Sequence, residues 1–533
     1  MSAPGAAMEP MLEVDEIQGN ILAGFNKDRQ QLLALRLRDI DTARRWLRRI
    51  LPSINSLAEV AHFNTSFRLC RQRLGYDPSG LIATWANIAF SYPGLAALTS
   101  EADAAGVPDA PFRQGLAARA AVLGDVAVAG GSDPTANWVV GGTGRVPDIL
   151  LIVASDDPAQ LDNGLDRVLP TLADGPDPPA VVWQEAGVTR SDLPGHEHFG
   201  FRDAISQPGV RGRLSARVDD FLTPRLLASS PLPNIEFSAP GQPLVWPGQF
   251  VFGYPSTDGA SGSIGGPVPA PPLRPAWLKN GSLLVFRRLK QDVAGFYRFL
   301  AATAVRLAVT PGFAGITAGQ LGAAIVGRWP SGAPILRAPS ADDPRLGADP
   351  MARNDFLFTI DTPAPDFKPG IGIAQTAFPA AAADPLGFVC PHAAHIRKVN
   401  PRDQDSDKGD PFDTLTRRII RRGIPFGPPI RDPMVDDGVE RGLHFLCYQT
   451  SIAEQFELLQ SDWANASGNP QPGGQDLVIG QASGAPRSME LDRETGQSAT
   501  IAAPGQFVTA TGGGYFFAPS LGALRDVLAR ASR

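Results

Sequence analysis

Cysteine is scarce. Cys70, Cys390 and Cys447 are the only three in 533 residues, and no two of them form a CxxC pair. That spacing excludes a disulfide framework and any zinc or iron–sulfur site built from cysteines. Long apolar runs are missing as well. Windows such as PDILLIVAS at 147–155 fall far short of the roughly 18–20 residues that span a bilayer, so no membrane partner is expected. The opening MSAPGAAMEPMLEVDEIQGN has no basic stretch followed by an apolar core, so no secretory signal is read. A cytoplasmic enzyme is the default, with secretion by another route left open. Excess charge of one sign is also absent. Lys and Arg number 48 against 54 Asp and Glu, a formal charge of -6, and basic residues are scattered apart from clusters such as RRIIRR at 417–422. A nucleic-acid partner is therefore not expected. No GxxxxGK[ST], GxSxG or HExxH occurs, and GGTG at 141–144 is too weak to read as a nucleotide loop.

What is present is glycine and proline, 56 and 51 residues, about a fifth of the chain against an average near 12%. Apolar segments keep returning between them, so the excess marks ordered loops. Hydrophobic content of 43% is enough for substantial cores, and the length suits two to four domain-sized units or fewer large ones. QQLLALRLRD alternates Leu33, Leu35 and Leu37 with Arg36 and Arg38, which predicts a half-buried strand. DTARRWLRRILPSI sets Ala43, Trp46, Leu47 and Ile50 at helical spacing, with Asp39 or Asp41 as cap. ANIAFS and PDILLIVASDD read as strands, and PGLAALTSEAD and APFRQGLAARAAVLGD as helices. The theme recurs in GSLLVFRRLKQD (strand), VAGFYRFLAATAVRLA (helix), LHFLCYQTS (strand), IAEQFELLQSDWAN (helix), GGGYFFAPS (strand) and LGALRDVLARAS (helix). These patterns predict an α+β protein of two similar halves, residues 1–215 and 281–533, joined by a Pro/Gly-rich connection at 216–280.

Histidine is the scarcest polar resource, with six in the chain. In GHEH, His196 and His198 fall on one side of an extended segment because side chains alternate. With Asp203 they admit a non-haem metal site, such as that of a zinc hydrolase; the plainer reading is that both satisfy loop hydrogen bonds. CPHAAH spaces His392 and His395 by three, which puts them on one face of a helix.

Asp203 stands in GFRDAISQPG at 200–209, and that stretch resembles the GxxDG signature, in its longer form GFxDGxSxP, of the dye-decolourising peroxidases. CPHAAHIRKVNPR at 390–402 resembles the segment with that family's haem-ligating histidine, and IIRRGIPFG at 419–427 its distal-arginine segment. EIQGNILAGFNK, FRQGLAARAAVLGD, PGQFVFGYP, GSLLVFRRLKQD, GRWPSGAPI, GLHFLCYQTSI and TGGGYFFAPS are similar to family segments in the same order, so the likeness covers most of the chain.

The resemblance implies two ferredoxin-like halves with antiparallel sheets packed together, of the dimeric α+β barrel type. It implies noncovalent haem b, bound mainly by the C-terminal half, with His395 as proximal ligand to the iron and His392 as competitor. It implies hydrogen peroxide as substrate and aromatic donors such as anthraquinone dyes and phenols. Asp203 would move a proton from one peroxide oxygen to the other so that water leaves, a task for a base that then acts as an acid. A carboxylate near its reference pKa of about 4 suits that role in mild acid, which predicts an acidic optimum. Arg421 matches the distal arginine, a fixed cation for developing charge, with Arg422 its neighbour. Leu443 and Phe445 resemble residues lining the distal pocket, although core packing explains them equally. Bulky donors too large for the pocket would be oxidised through a surface Trp or Tyr. The sequence departs from the signature at Ala204, where the family has glycine. Either the turn there does not need φ > 0 or the aspartate is re-aimed. That departure keeps alive a haem-binding protein with little turnover. The oligomeric state, monomer or dimer, is left open.

Overall fold

Nine strands make one antiparallel sheet. β1 (Arg29–Arg36), β2 (Thr84–Phe90), β3 (Ile149–Ser155) and β4 (Ala180–Val188) come from the first half of the chain. β5 (Ser282–Gln291), β6 (Ile420–Arg421), β7 (Ile424–Phe426), β8 (Gly442–Gln449) and β9 (Val508–Ala518) come from the second. The order is β6-β8-β5-β9-β2-β3-β1-β4, with β7 also on β8. With β6 and β7, both on β8, counted as one interrupted strand, each half therefore runs fourth-first-third-second in its own strands (β4-β1-β3-β2 and β9-β5-β8-β6), the ferredoxin-like order that the resemblance implied. The computed structural model that shows this describes residues 9–531 apart from 79, 128–130, 228–229, 260–265, 364–377, 482 and 484. Residues 1–8 of the opening segment lie outside the described residues.

The halves join where Phe517 of β9 pairs with Phe90 of β2. At the other end β4 meets β7 and β8, closing the sheet into a barrel. Gly187 of β4 lies so close that a Cβ there would sit 2.4 Å from Cγ2 of Ile424. Glu185 of β4 takes hydrogen bonds from Arg288 Nε and Nη2 of β5, each at 2.7 Å, and pairs with His444 Nε2 of β8 at 2.7 Å.

Because side chains alternate along a strand, each strand feeds two cores. Leu32, Ile152, Phe286, Leu446 and Phe516 fill the barrel. Leu33, Leu35, Leu151, Val285 and Phe517 lie outside it under helices. β1 is therefore buried on both faces, not half-buried: the face expected to be polar from Arg36 and Arg38 carries Leu32 and Ala34 into the barrel. The covering helix α1 (Ile40–Ile50) buries Ala43, Trp46, Leu47 and Ile50, and Asp39 is its cap, accepting from Thr42 N at 2.7 Å.

Residues near the N-terminus plug the barrel. Ile17, Ile21, Leu22 and Phe25 belong to the interior cluster, with Val245, Phe250, Val251 and Tyr254 from the 216–280 stretch. Gln18 Nε2 donates to Ile88 O and Pro519 O at 2.9 and 2.8 Å. Helix α2 (Leu57–Leu74) follows with a Ser56/Glu59 capping box.

Two segments read as single helices are broken. Residues 110–125 turn at Gly115, whose φ of +78° ends Ala110–Gln114 before Leu116–Arg119 begins. Tyr92–Leu98 and Glu101–Ala105 are separate, the second capped by Ser100. The second half adds α3 (Val293–Leu307), α4 (Ala318–Val326), the short α5 (His395–Lys398) and α6 (Ile452–Ala464), which winds as a π-helix.

Candidate functional site

The loop between β4 and the 216–280 stretch brings Asp203 to a cavity of about 290 Å³. Gly200 at φ +86° and Ala204 at φ +57° both lie in the left-handed region. The turn does need positive φ at 204, and alanine adopts it at a cost of about 1–2 kcal/mol. Ala204 N then donates to Asp203 Oδ1 at 2.6 Å, so the side chain folds over its own turn.

The short strand β6 supplies the partner. Arg421 Nη1 donates to Asp203 Oδ1 at 2.8 Å and Nη2 to Ser206 O at 2.9 Å. Gln207 clamps the backbone of Arg421, donating from Nε2 to its carbonyl at 2.9 Å and accepting its N–H at 3.2 Å. Burial alone would push the Asp203 carboxyl up. The Arg421 charge, the Ala204 N–H, the Arg421 hydrogen bond and the more distant His395 outweigh it and hold the carboxyl below its ordinary value. Oδ2 of Asp203 has no protein partner among the described residues.

His395, at the start of α5, lines the same cavity. Its Nδ1 pairs with Asp476 Oδ2 at 2.7 Å, and Asp476 Oδ1 accepts from Val478 N and Ile479 N at 2.8 and 3.0 Å. Burial favours neutral imidazole, but the Asp476 charge and hydrogen bond raise the His395 pKa above its ordinary value. With Nδ1 committed, Nε2 is the nitrogen left for a metal, and its orientation is fixed from behind.

The remaining walls suit a largely apolar ligand that carries acidic groups. Leu443 and Phe445 line the cavity from β8, with Phe456, Val326 and Ile479. Arg287, Arg328, Arg402 and Arg418 bring cations to it. Nε of Arg418 is buried without a partner, and burial, reinforced by Arg402, pulls its pKa down to about 9. Nη1 of Arg287 is likewise unpartnered. Carboxylates on a bound ligand would satisfy both, and the two propionates of haem meet that need, so the residues present fit haem.

The rival assignments are not assembled. His196 and His198 do not share a site: His196 Nδ1 contacts Pro194 O at 3.0 Å, while buried His198 contacts Phe426 O through Nε2 at 2.8 Å. Asp203 is committed to Arg421, and no group of three or more His, Cys, Asp or Glu that could hold a metal occurs among the described residues. The hydrolase constellation is therefore not assembled. His392 does not line the cavity; burial drops its pKa to about 4. Arg422 turns away from Asp203 and donates to the carbonyls of Asn20, Ile21 and Leu22 at 2.8, 3.2 and 2.8 Å, tying down the barrel plug. Sequence reasoning missed Asp476 and the cationic walls. Asp476 had one faint signal, a lone acid after paired glycines in GGQD.

Comparison with known proteins agrees with this geometry. A family model described as "DyP dimeric alpha+beta barrel domain" matches residues 16–175, and one described as "Dyp-type peroxidase, C-terminal" matches 375–472. "Peroxidase 2" of Mycetinis scorodonius is 33% identical, over 99% of this chain and 89% of that protein. A "Dye-decolorizing peroxidase" of Exidia glandulosa is 34% identical, over 97% and 87%. Among solved structures, an ancestral D-type dye decolorizing peroxidase superposes with a TM-score of 0.75 at 32% identity, covering 98% of this chain and all of the other. A dye-decolorizing peroxidase in complex with 2,6-dimethoxyphenol does so at 0.70 and 30%, covering 98% and 100%.

Proposed function

The chain belongs to the dye-decolourising peroxidase family, and from that premise we propose how its own residues serve the reaction. It is an α+β barrel peroxidase that reduces hydrogen peroxide and oxidises dyes and other aromatic donors, and the family's enzymes carry haem. For this chain the reading is noncovalent haem b, held at the iron by Nε2 of His395. Asp476 orients the ring, and Arg287 and Arg418 receive the propionates. When bound, haem supplies the iron centre that exchanges electrons with peroxide and with donors.

Asp203 moves the proton. Its Oδ1 is fixed by Arg421 and the Ala204 N–H, while Oδ2 is clear to take a proton from one peroxide oxygen and return it to the other. Arg421 keeps Asp203 ionised and ready to accept, and offers positive charge where negative charge develops as the O–O bond breaks. Leu443 and Phe445 keep the pocket wall apolar. Donors too bulky to enter require a route through side chains; among the described residues Tyr76 is the one exposed tyrosine and no tryptophan is exposed.

The observation that carries this reading is that an ionised Asp203–Arg421 pair and a His395–Asp476 pair share one cavity with cationic walls. Absorption spectroscopy tests it. The purified protein should show a Soret band, His395→Ala should lose it or shift it, and Asp203→Asn should keep it while losing most peroxide turnover. Normal haem absorption in His395→Ala would sink the ligand assignment, and full turnover in Asp203→Asn the proton-transfer role.

A further inference from the structure

A second carboxylate, Glu197, lines the same cavity, six residues before Asp203 and on the same loop. It is surrounded by donors. Oε2 accepts from Phe199 N at 2.8 Å and from Gln291 Nε2 of β5 at 2.5 Å, and Oε1 accepts from Phe201 N at 2.9 Å. Its backbone closes the same turn: Glu197 N donates to Phe201 O at 3.1 Å, and Gly200 N donates to Glu197 O at 3.0 Å. Asp203 N in turn reaches back to Gly195 O at 3.0 Å. Residues 195–203 are therefore a coil of chain wrapped around one acidic side chain.

We propose that Glu197 is a positioning residue for Asp203: the loop carrying Asp203 is wound around the Glu197 carboxylate, and the charge on that carboxylate governs anion binding in the cavity. The proposal rests on the reading of Asp203 given above. The titratable and charged groups around Glu197 are Asp203 on its own loop, Arg190, whose Nη1 donates to the Glu197 carbonyl at 3.0 Å, and Tyr297 of α3, whose hydroxyl donates to Phe199 O at 2.8 Å; β5 brings the neutral Gln291. Burial pushes the Glu197 carboxyl up to about 7, with the Asp203 charge acting in the same direction against its three hydrogen bonds. One carboxyl held down and one pushed up in a single cavity divides the labour: in mild acid Asp203 is charged and Glu197 is neutral. Above pH 7 both are charged, and the cavity repels anions.

Azide affinity, read from the haem absorption of the loaded protein, tests this without turnover, because azide stays anionic from mildly acidic to mildly alkaline solution. The wild-type dissociation constant should bend upward near pH 7. Glu197→Gln, neutral at every pH, should lose the bend and bind azide about tenfold more tightly in alkaline solution, the order expected from removing one like charge from a protein cavity. Gln291→Met removes one donor to the charged form and should move the bend to higher pH. A bend that persists in Glu197→Gln overturns the proposal. Should that variant fail to take up haem, an unmoved bend in Gln291→Met overturns it instead. Asp203→Asn measured alongside keeps the two readings distinguishable: full peroxide turnover there sinks the role of Asp203, whatever Glu197 does.

Discussion

Asp203 and Arg421 work as a unit, because the guanidinium that would stabilise departing charge also sets the protonation of the carboxylate. A base must be ionised, so on the proposed reading the acidic limb of the rate profile should follow the Asp203 pKa, which is held below its ordinary value. Arg421→Leu should raise that pKa and move the acidic limb up by about one pH unit or more, which a pH–rate profile for peroxide reduction checks. Ala204 makes a second prediction at this scale. Ala204→Gly removes a left-handed penalty of about 1–2 kcal/mol and adds about 0.4–1 kcal/mol of unfolded-chain freedom. Stability should rise by about 0.5–1 kcal/mol, read from the urea midpoint. Asp203, His395 and Arg421 were legible because each sits in a short local segment that resembles a family signature. Asp476 was not, since its partner is 81 residues away and only the fold joins them.

Among the elements, the seam between β4, β5 and β8 depends on Glu185. Burial would raise its carboxyl, but hydrogen bonds from His444 and Arg288 outweigh burial and hold it at about 2, against 4.5 for a free glutamate. A depressed folded pKa stabilises above the unfolded value, and that stabilisation is lost as pH falls toward the folded one. Glu185→Gln should therefore cost on the order of 2–3 kcal/mol at neutral pH. It should also flatten the loss of stability expected of the wild type between pH 4.5 and 2, which denaturation at several pH values checks. Strands were legible from short apolar runs between turn residues, as in β3, whose seven residues are all buried. The second buried face of β1 was not, because barrel closure is a property of the whole sheet. Helix breaks at Gly115 and Ser100 escaped because apolar spacing continues across them.

At the scale of the whole molecule, the candidate-site cavity and the barrel core are separate volumes, the one walled by the Asp203 loop, α5, α6 and residues of β5 and β8, the other filled by strands and the N-terminal plug. Haem-free protein should keep its far-UV circular dichroism and unfold at a lower temperature than the loaded form. The difference should reach about 4 kcal/mol when haem exceeds its Kd a thousandfold, read by thermal unfolding with and without added haem. The plug also sets a clock. Gln18 reaches Pro519, and the carbonyls of residues 20–22 wait for Arg422, so contacts of the plug are completed by residues about 400 to 500 positions further on. At about 5–20 residues per second, synthesis separates these partners by tens of seconds. During that interval the first ferredoxin-like half pairs its own strands with an unsealed end. Barrel closure, and with it the placing of Arg421 beside Asp203, waits for the strands of the second half. A site that needs both halves is complete only once the barrel has closed.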